Sequence, residues 1–410
     1  MPAPSAVPCP DGRPGRIARQ GHVPRPPRLT RTPRAAALAG VSALVVTLTA
    51  GCGSDAVVSG QAAVAGAPKV TVSFTDDGCT PSPATVSAGP TNFEMRNNGA
   101  SAVTEAEVMQ GDRILGEKEN LTPGLSGTFS LRLAEGTYTV YCPNARTERS
   151  TLTVTAAATP APSNSAHAEL AEAVRTYRSY VEAESAKLLP ATRTFAAAVK
   201  AGHVDEAKRL FPLARTHYET IEPVAESFGD LDPEIDARVN DVAAGATWTG
   251  FHRIEKALWH DGSTKGMKPY ADKLVKDVTR LDALVRTVDL QGAQIANGAV
   301  DLLGEVANSK ITGEEDRYSH TDLADFEANV AGVQAAIAAL TPAMTKVDPA
   351  LQARIRTQFA AVKGSLEQFR TKDGFVAYTK ANVTPAKRRE LTSKVNTLAE
   401  TLSKVAPAVA

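Results

Sequence analysis

The stretch AAATPAPSNSA, residues 156–166, separates two parts of the sequence that differ in hydrophobic periodicity. Its mixture of Ala, Pro, Ser and Asn is typical of a flexible linker, which we predict over residues 156–168. Before it, apolar and polar residues alternate with a period of two, and after it apolar residues recur at helical spacing. A chain of 410 residues has room for two buried cores. The sequence therefore predicts an all-β domain followed by an all-α domain.

The predicted β domain covers residues 69–155, where turn signals separate short segments of alternating polarity. These segments are KVTVSF (69–74), TNFEM (91–95), TEAEVM (104–109), GTFSLRL (127–133), GTYTVYC (136–142) and STLTVT (150–155). Six or seven short strands in so few residues are typical of a Greek-key sandwich. Residues 53–68 are small and polar, and we predict that they form a tether.

The predicted α domain covers residues 169–410, and helix-breaking pairs divide it. The pairs are Ala201-Gly202, Gly229-Asp230, Asp261-Gly262, Thr312-Gly313, Asp348-Pro349 and Asp373-Gly374. One apolar helix face is predicted to carry Leu210, Leu213, His217, Ile221, Val224 and Phe228. Helices of this length joined by short turns predict a bundle.

The first 52 residues are predicted to be an export leader. Seven arginines precede an apolar run of 17 residues, Ala35 to Gly51, which is short for a membrane span. The run ends in LTAGC (48–52), which resembles a bacterial lipobox and predicts acylation of Cys52. An ordinary secretory signal is the alternative. The mature protein is then expected outside the cell membrane, in contact with it only through a lipid anchor.

Two cysteines remain beyond the leader, Cys79 and Cys142. In an exported protein the simplest expectation for such a pair is a disulfide. The alternative is that Cys142, at the end of a predicted strand, is a soft metal ligand beside Glu105 and Glu107. A blue-copper centre is excluded because it needs two histidines, and no histidine occurs between His22 and His167.

A histidine and several carboxylates are candidate metal ligands in the α domain. His252 and Glu255 lie three residues apart in TGFHRIEKALW (249–259), and Glu219 and Glu222 have the same spacing in HYETIEPVAE (217–226). Residues three apart share a helix face, so each pair can converge on one ion. Pro223 loosens the helix there, because it cannot donate to the carbonyl of residue 219. Solvent-facing acids and a packed histidine are the alternative interpretation.

The composition of this candidate set favours a hard cation. Carboxylate-rich iron sites in helical bundles are built from carboxylates and imidazoles that project inward from the helices. The candidate set has one imidazole and several carboxylates. Such ligands suit Fe(III) and not Cu(I). A metallopeptidase is the competing function, but neither HExxH nor HxxEH occurs, and the next histidine is His260. The 45 basic and 45 acidic residues cancel, which gives no indication of nucleic-acid binding.

Five blocks of the α domain together resemble the EfeO family, the extracytoplasmic components of Efe iron-uptake systems. They are HYETIEPVAESFGDLDPEIDAR (217–238), TGFHRIEKALW (249–259), TKGMKPYADKL (264–274), KITGEEDRYSHTDLADFEANV (310–330) and RTKDGF (370–375). The resemblance implies an imelysin-like helical domain of a peptidase family. EAEVMQGDRILGEKENLTPG (105–124) and GTYTVYC resemble the cupredoxin-like domain of the same family.

The resemblance also implies a metal site and partners. Its ligands fall on Glu219, Glu222, Asp236, His252, Glu255 and Glu315, with Glu105, Glu107 and Cys142 as a secondary site. Asp236 and Glu315 rest on the resemblance alone. The expected cargo is Fe³⁺ or Fe²⁺, with Zn²⁺ or Cu²⁺ as alternatives at either site. The expected partners are a membrane ferrous-iron permease and a haem peroxidase-like protein, and the protein itself is expected not to be an enzyme.

Overall fold

The structure, a computed structural model, describes residues 57–157, 165–242, 245–345 and 348–409. Cys52 lies outside these residues, so its predicted acylation stays a prediction. Within the described chain, no helix is long and apolar enough to cross a lipid bilayer.

Two five-stranded sheets make up the β domain. In one sheet the strand order is β1-β8-β5-β2-β3, and in the other it is β4-β10-β9-β6-β7. The strands are β1 (Val57–Gly60), β2 (Lys69–Thr75), β3 (Gly78–Ser82), β4 (Thr85–Ser87), β5 (Gly89–Asn97), β6 (Ala106–Gln110), β7 (Arg113–Lys118), β8 (Ser126–Leu133), β9 (Gly136–Tyr141) and β10 (Arg149–Thr155).

Alternation along these strands produces the core that joins the two sheets. In β2, Val70, Val72 and Phe74 point inward and are fully buried, while the intervening residues are less buried. Phe93 of β5 lies opposite Phe129 of β8, with ring centroids 5.2 Å apart. Apolar residues of both sheets form one buried cluster, which is the expected result of period-two patterning.

Four strands were not among the predicted segments: β1, β3, β4 and β7. β1 pairs with β8 in parallel, so part of the segment predicted as a tether belongs to the sheet. The backbone amide of Gln61 continues this pairing by donating to the Thr128 carbonyl at 3.2 Å. These strands are short, lie at or next to sheet edges and lack a long apolar alternation, so the sequence contains little signal for them.

The α domain contains ten helices in the described residues. They are α1 (Ser165–Ala201), α2 (Val204–Ile221), α3 (Leu231–Asp236), α4 (Gly250–Trp259), α5 (Lys268–Leu284), α6 (Gly292–Asn308), α7 (Asp322–Thr345), α8 (Pro349–Leu366), α9 (Pro385–Leu402) and α10 (Val405–Val409). Each predicted break falls between helices or, at Asp373-Gly374, in a hairpin of the two-residue strands β11 (Arg370–Thr371) and β12 (Gly374–Phe375). The predicted class, a β-sandwich followed by a helical bundle, is confirmed.

The predicted apolar face of α2 is confirmed at Ile221, Val224 and Phe228, which are buried, and is wrong at Leu213 and His217. Leu213 is 55% exposed, and His217 is only partly buried. The buried face also carries Phe211, Arg215 and Glu219. Two charged residues therefore occupy core positions on this helix.

The end of α2 is shaped by Pro223, as predicted from the sequence. The helix ends at Ile221 and continues as a 3-10 segment, Glu222–Phe228. The carbonyl of Glu219 receives a hydrogen bond from Asn329 Nδ2 of α7 at 3.1 Å. α7 comes this close because Gly332 packs against the Thr220 carbonyl, where any Cβ would clash. The bundle thus supplies a side-chain donor to the carbonyl that proline cannot bond.

The two domains contact each other along α6. Asn297 Nδ2 donates to the Ser130 carbonyl of β8 at 2.9 Å, and Gln294 Nε2 donates to the Ile114 carbonyl of β7 at 3.3 Å. Lys118, which is nearly fully buried, pairs with Asp301. Several polar groups at this contact are therefore paired across it.

The β domain also contains a disulfide. Cys79 of β3 is bonded to Cys142, which follows β9, and the two are separated by 63 positions in the chain. Because β3 and β9 belong to different sheets, the bond ties the two sheets together.

Replacing both Cys79 and Cys142 by alanine should lower the free energy of unfolding of the β domain by about 2–4 kcal/mol, since the open chain gains entropy when unfolded. Urea unfolding followed by circular dichroism measures the change. Wild-type protein treated with a thiol reductant is the control and should match the double variant. Equal unfolding midpoints for the oxidised wild type and the variant would contradict a stabilising disulfide.

Candidate metal centre

His252 is held on α4 with its imidazole inside the bundle, and only 1% of the residue is exposed. Its neighbours Phe251 and Ile254 are fully buried, so packing keeps this part of the helix in the core. His252 Nδ1–H donates to Glu255 Oε2 at 2.9 Å, one helical turn further along. The HxxE pair is thus one hydrogen-bonded unit.

The second imidazole nitrogen faces two carboxylates. His252 Nε2 lies 3.7 Å from Asp236 Oδ1 and 3.7 Å from Glu315 Oε1. No group of the described residues hydrogen-bonds to this buried nitrogen. Ligands that bind one ion at about 2 Å lie roughly 3 to 4 Å from one another. Asp236, His252 and Glu315 are therefore spaced to share a metal ion with little movement.

Asp236 reaches this place because α3 and α4 pack closely. Gly250 begins α4 with a φ of +84° and lies against the Ile235 carbonyl at the end of α3, leaving no room for a side chain. This approach places the last residue of α3 beside the first turn of α4.

Glu255 uses both of its oxygens within the protein. Oε2 accepts from His252, while Oε1 accepts from the backbone amides of Tyr318 at 2.9 Å and Ser319 at 2.7 Å. These amides belong to the loop that carries Glu315. This geometry favours Glu255 as a group that orients the imidazole and the loop, and not as a direct metal ligand.

The predicted acids Glu219 and Glu222 lie next to this triad, around a buried lysine. Lys310 Nζ lies 3.3 Å from Glu219 Oε2 and 3.5 Å from Glu315 Oε1. It also donates a hydrogen bond to Glu222 Oε1, with which it forms an ion pair. Asn329 Nδ2 donates to Glu219 Oε2 at 3.0 Å and to Glu222 Oε2 at 2.6 Å. The predicted acids therefore form one continuous polar cluster, with Glu219 and Glu222 outside the triad nearest to His252.

Sequence reasoning missed the buried cations of this cluster. Arg215 is fully buried and pairs with Glu219 and Asp236, and it lies 3.3 Å from Glu315 Oε1. Lys310 is also buried. The available signal was the spacing of Arg215 and Glu219 at i and i+4, which is commonly a surface ion pair.

Two aspartates were also missed. Asp316 Oδ1 lies 3.9 Å from His252 Nδ1, and Asp325 Oδ2 lies 3.1 Å from Arg215 Nε. Both residues are fully buried. Both lie in the block of residues 310–330, but spacing alone did not distinguish them from the other acids of that block.

The electrostatics of the cluster favour a charged imidazole. Burial and the Arg215 charge oppose protonation of His252, but Asp236, Glu255 and Glu315 outweigh them and raise its pKa to about 10. Burial raises the pKa of Asp236 to about 6, although Arg215 and His252 pull it down. Burial also acts on Glu315, yet Lys310 and His252 hold its pKa well below the usual range. Metal binding at Nε2 must therefore displace a proton.

The predicted secondary site differs from its expected composition. Cys142 is bonded to Cys79, so its thiol is not free to bind a metal. Glu105 instead groups with Glu117 and Glu119, with ligand atoms within 4.8 Å of one another. Burial raises the pKa of Glu105, and side-chain hydrogen bonds with Glu117 and Glu107 lower it. Glu107 thus stays close to Glu105, while the Cys142 sulfur is not available to a secondary site.

Each of the two domains matches a known protein family. The sequence profile of the imelysin family matches residues 173–405, and that of the cupredoxin-like domain matches residues 42–154. The iron uptake system component EfeO of Escherichia coli strain K12 is 42% identical over 349 residues, covering 84% of this chain and 92% of that protein. The chain belongs to the EfeO family.

Other EfeO proteins show the same degree of sequence identity to this chain. The EfeO protein of Shigella flexneri is 42% identical over 349 residues, again covering 84% of this chain and 92% of the relative. That of Escherichia coli O1:K1 is 42% identical over 342 residues, covering 82% of this chain and 90% of the relative. The similarity to EfeO therefore spans both domains, as the sequence blocks predicted.

Replacing Glu255 by alanine should weaken metal binding about 10- to 100-fold, because the imidazole and the loop at Tyr318 and Ser319 lose their common acceptor. Chelator competition measures the dissociation constant. Glu314→Ala is the control, since Glu314 lies in the same loop but is exposed and pairs with Arg317. Wild-type affinity in Glu255→Ala would exclude the orienting role.

Metal affinity should rise with pH. The pKa of about 10 keeps His252 protonated between pH 5 and 8, so binding at Nε2 releases one proton and affinity rises about tenfold per pH unit. Below about pH 6 the slope should steepen, because Asp236 is then also protonated. Anaerobic Fe²⁺ titrations at several pH values measure the slope. An affinity that does not change over this range would contradict coordination by His252.

Proposed function

We propose that the protein is an extracytoplasmic iron-binding component of an Efe-type uptake system. It captures Fe²⁺ or Fe³⁺ at the centre formed by Asp236, His252 and Glu315 and passes the ion to a membrane permease. Support for this comes first from His252 Nε2, a buried nitrogen that has no hydrogen-bond partner in the described chain and faces two carboxylates.

The donor set supports iron as the cargo. Two carboxylate oxygens and one imidazole nitrogen form the inner triad. Burial raises the pKa of Glu219, but Arg215 and Lys310 lower it below the usual value, so this carboxylate adds negative charge beside the triad. Such oxygen-rich sets suit hard or borderline cations. Zn²⁺ and Cu²⁺ also bind such donors, although this donor set does not favour them over iron. Both ions therefore serve as competitors in the iron titration.

The relatives support the wider role. They are named as components of an iron uptake system, and we propose the same system for this chain. Its partners are then a ferrous-iron permease and a haem peroxidase-like protein, which changes the oxidation state of the ion. Anchoring through an acylated Cys52 keeps the protein at the outer face of the cell membrane, in the periplasm or at the cell surface.

The arrangement of Glu255 argues against the metallopeptidase alternative. A zinc peptidase needs a carboxylate that is free to act as general base for the metal-bound water. Both oxygens of Glu255 are instead engaged by His252 and by two backbone amides. The imelysin match carries a peptidase-family name, and the geometry around His252 gives that name no further support.

Iron titration tests the proposal. Wild-type protein titrated with anaerobic Fe²⁺ and with ferric citrate should bind one ion per chain, with Zn²⁺ and Cu²⁺ as competitors. His252→Ala should lose this binding, because the only imidazole of the cluster is gone. A double variant, Glu219→Ala with Glu222→Ala, should weaken it by removing the Glu219 charge and two adjacent carboxyl groups.

His217→Ala is the matched control, since His217 is a partly exposed histidine of the same bundle that pairs with Glu184. It should bind iron like the wild type. Undiminished iron binding by His252→Ala would refute the site, and undiminished binding by the double variant would remove Glu219 and Glu222 from it. Peptide cleavage that depends on His252 would favour the peptidase.

A further inference from the structure

Arg215 contacts the two carboxylate oxygens, one of Asp236 and one of Glu315, that would bind the metal ion. Its Nη1 is bonded to Asp236 Oδ1, and its Nη2 lies 3.3 Å from Glu315 Oε1. These same two oxygens face His252 Nε2 at 3.7 Å each. An ion bound by the triad would therefore share both carboxylate oxygens with a guanidinium.

The guanidinium cannot leave the site for solvent. Arg215 is fully buried, and the rings of Phe211 and Phe251 flank it, with centroids 5.7 and 5.8 Å from Cζ. Removing such a charge from its partners without replacement is strongly unfavourable. Arg215 must consequently find other partners inside the cluster when an ion arrives.

Two aspartates provide those partners. Asp325 Oδ2 lies 3.1 Å from Arg215 Nε, and Asp316 Oδ1 lies 3.6 Å from the same atom. Asp316 Oδ1 and Asp325 Oδ1 are buried and have no hydrogen-bond partner in the described parts of the chain. Both aspartates thus lie at Arg215 Nε, whereas Asp236 Oδ1 lies at Nη1, and each aspartate has one oxygen without a hydrogen bond.

We propose that Arg215 is a tethered counter-cation that competes with the cargo ion, releasing Asp236 and Glu315 when the ion binds and remaining on Asp325 and Asp316. This inference rests on the proposed iron site and concerns how its affinity is set. In the unloaded protein Arg215 neutralises carboxylates that would otherwise repel one another. In the loaded protein its nearby charge opposes the ion and so favours release.

Arg215→Met tests the competition, because methionine is unbranched, uncharged and able to fill the apolar gap. With the competing charge removed, the affinity for iron should rise about tenfold or more, since a like charge a few ångströms from the ion is lost. The unloaded variant should also melt at a lower temperature than the wild type, and iron should raise its melting temperature by more. A residue needed only for packing would lower both stability and affinity.

Asp325→Asn gives the opposite expectation. It weakens the alternative partner of Arg215 while preserving side-chain size, so Arg215 should stay on Asp236 and iron affinity should fall. Arg238→Met is the matched charge control. Arg238 pairs with Glu315 Oε2 at 3.2 Å, the oxygen other than the one that faces His252. Its removal should raise affinity much less than removal of Arg215.

The outcomes separate the two proposals. Tighter iron binding by Arg215→Met than by Arg238→Met supports the competition, and unchanged or weaker binding in a folded Arg215→Met protein overturns it. Iron binding by neither the wild type nor Arg215→Met overturns the iron site and the competition together. Binding by the variant alone would mean that Arg215 blocks the site, and the proposed function would fail while the competition stands.

A structure of the wild-type protein with bound iron tests the same point without any substitution, should Arg215→Met fail to fold. Arg215 Nη1 should then no longer be bonded to Asp236 Oδ1. Retention of that bond with iron on Asp236 Oδ1 would overturn the competition.

Discussion

The arrangement of the bundle core depends on the mutual neutralisation of buried charges. Carboxylates removed from water are costly unless each finds a cation or a hydrogen-bond donor. Here Arg215, Lys310 and the protonated His252 supply the positive charges, and Asn329 and the loop amides supply donors. Side chains of α2, α3, α4 and α7 meet Lys310 and the loop at Glu315 in this one cluster. His252 Nε2 has no hydrogen-bond partner in the described chain and faces Asp236 and Glu315 at 3.7 Å, and the proposed function begins there.

Much of this structure could be predicted from the sequence, because local patterns determine it. The change of period at residues 156–166 predicted the two domains, and Gly and Pro residues marked the helix ends. The short strand β1 was missed because its signal comes from its partner β8 and not from its own residues. The buried face of α2 was predicted only in part for a related reason. A hydrophobic pattern selects apolar residues for the core, whereas this core contains Arg215 and Glu219.

The candidate site, like the fold, could be predicted from the sequence only in part. The spacing of His252 and Glu255 identified two residues of the cluster, and they hydrogen-bond to each other. Asp236 and Glu315 were chosen only through family resemblance, since they lie on different elements that the fold brings together. Nothing local distinguished Asp316 from its acidic neighbours or indicated that Lys310 would be buried. Cations inside an anionic cluster are a property of the tertiary structure, which a single sequence does not reveal by spacing.

The location of bound iron tests the central claim most directly. Crystals of the protein loaded with iron, measured on both sides of the iron absorption edge, give an anomalous difference map that locates the ion. The account predicts a peak about 2 Å from His252 Nε2 and within bonding distance of Asp236 and Glu315. A peak elsewhere, for example among Glu105, Glu117 and Glu119, with none beside His252, would contradict it.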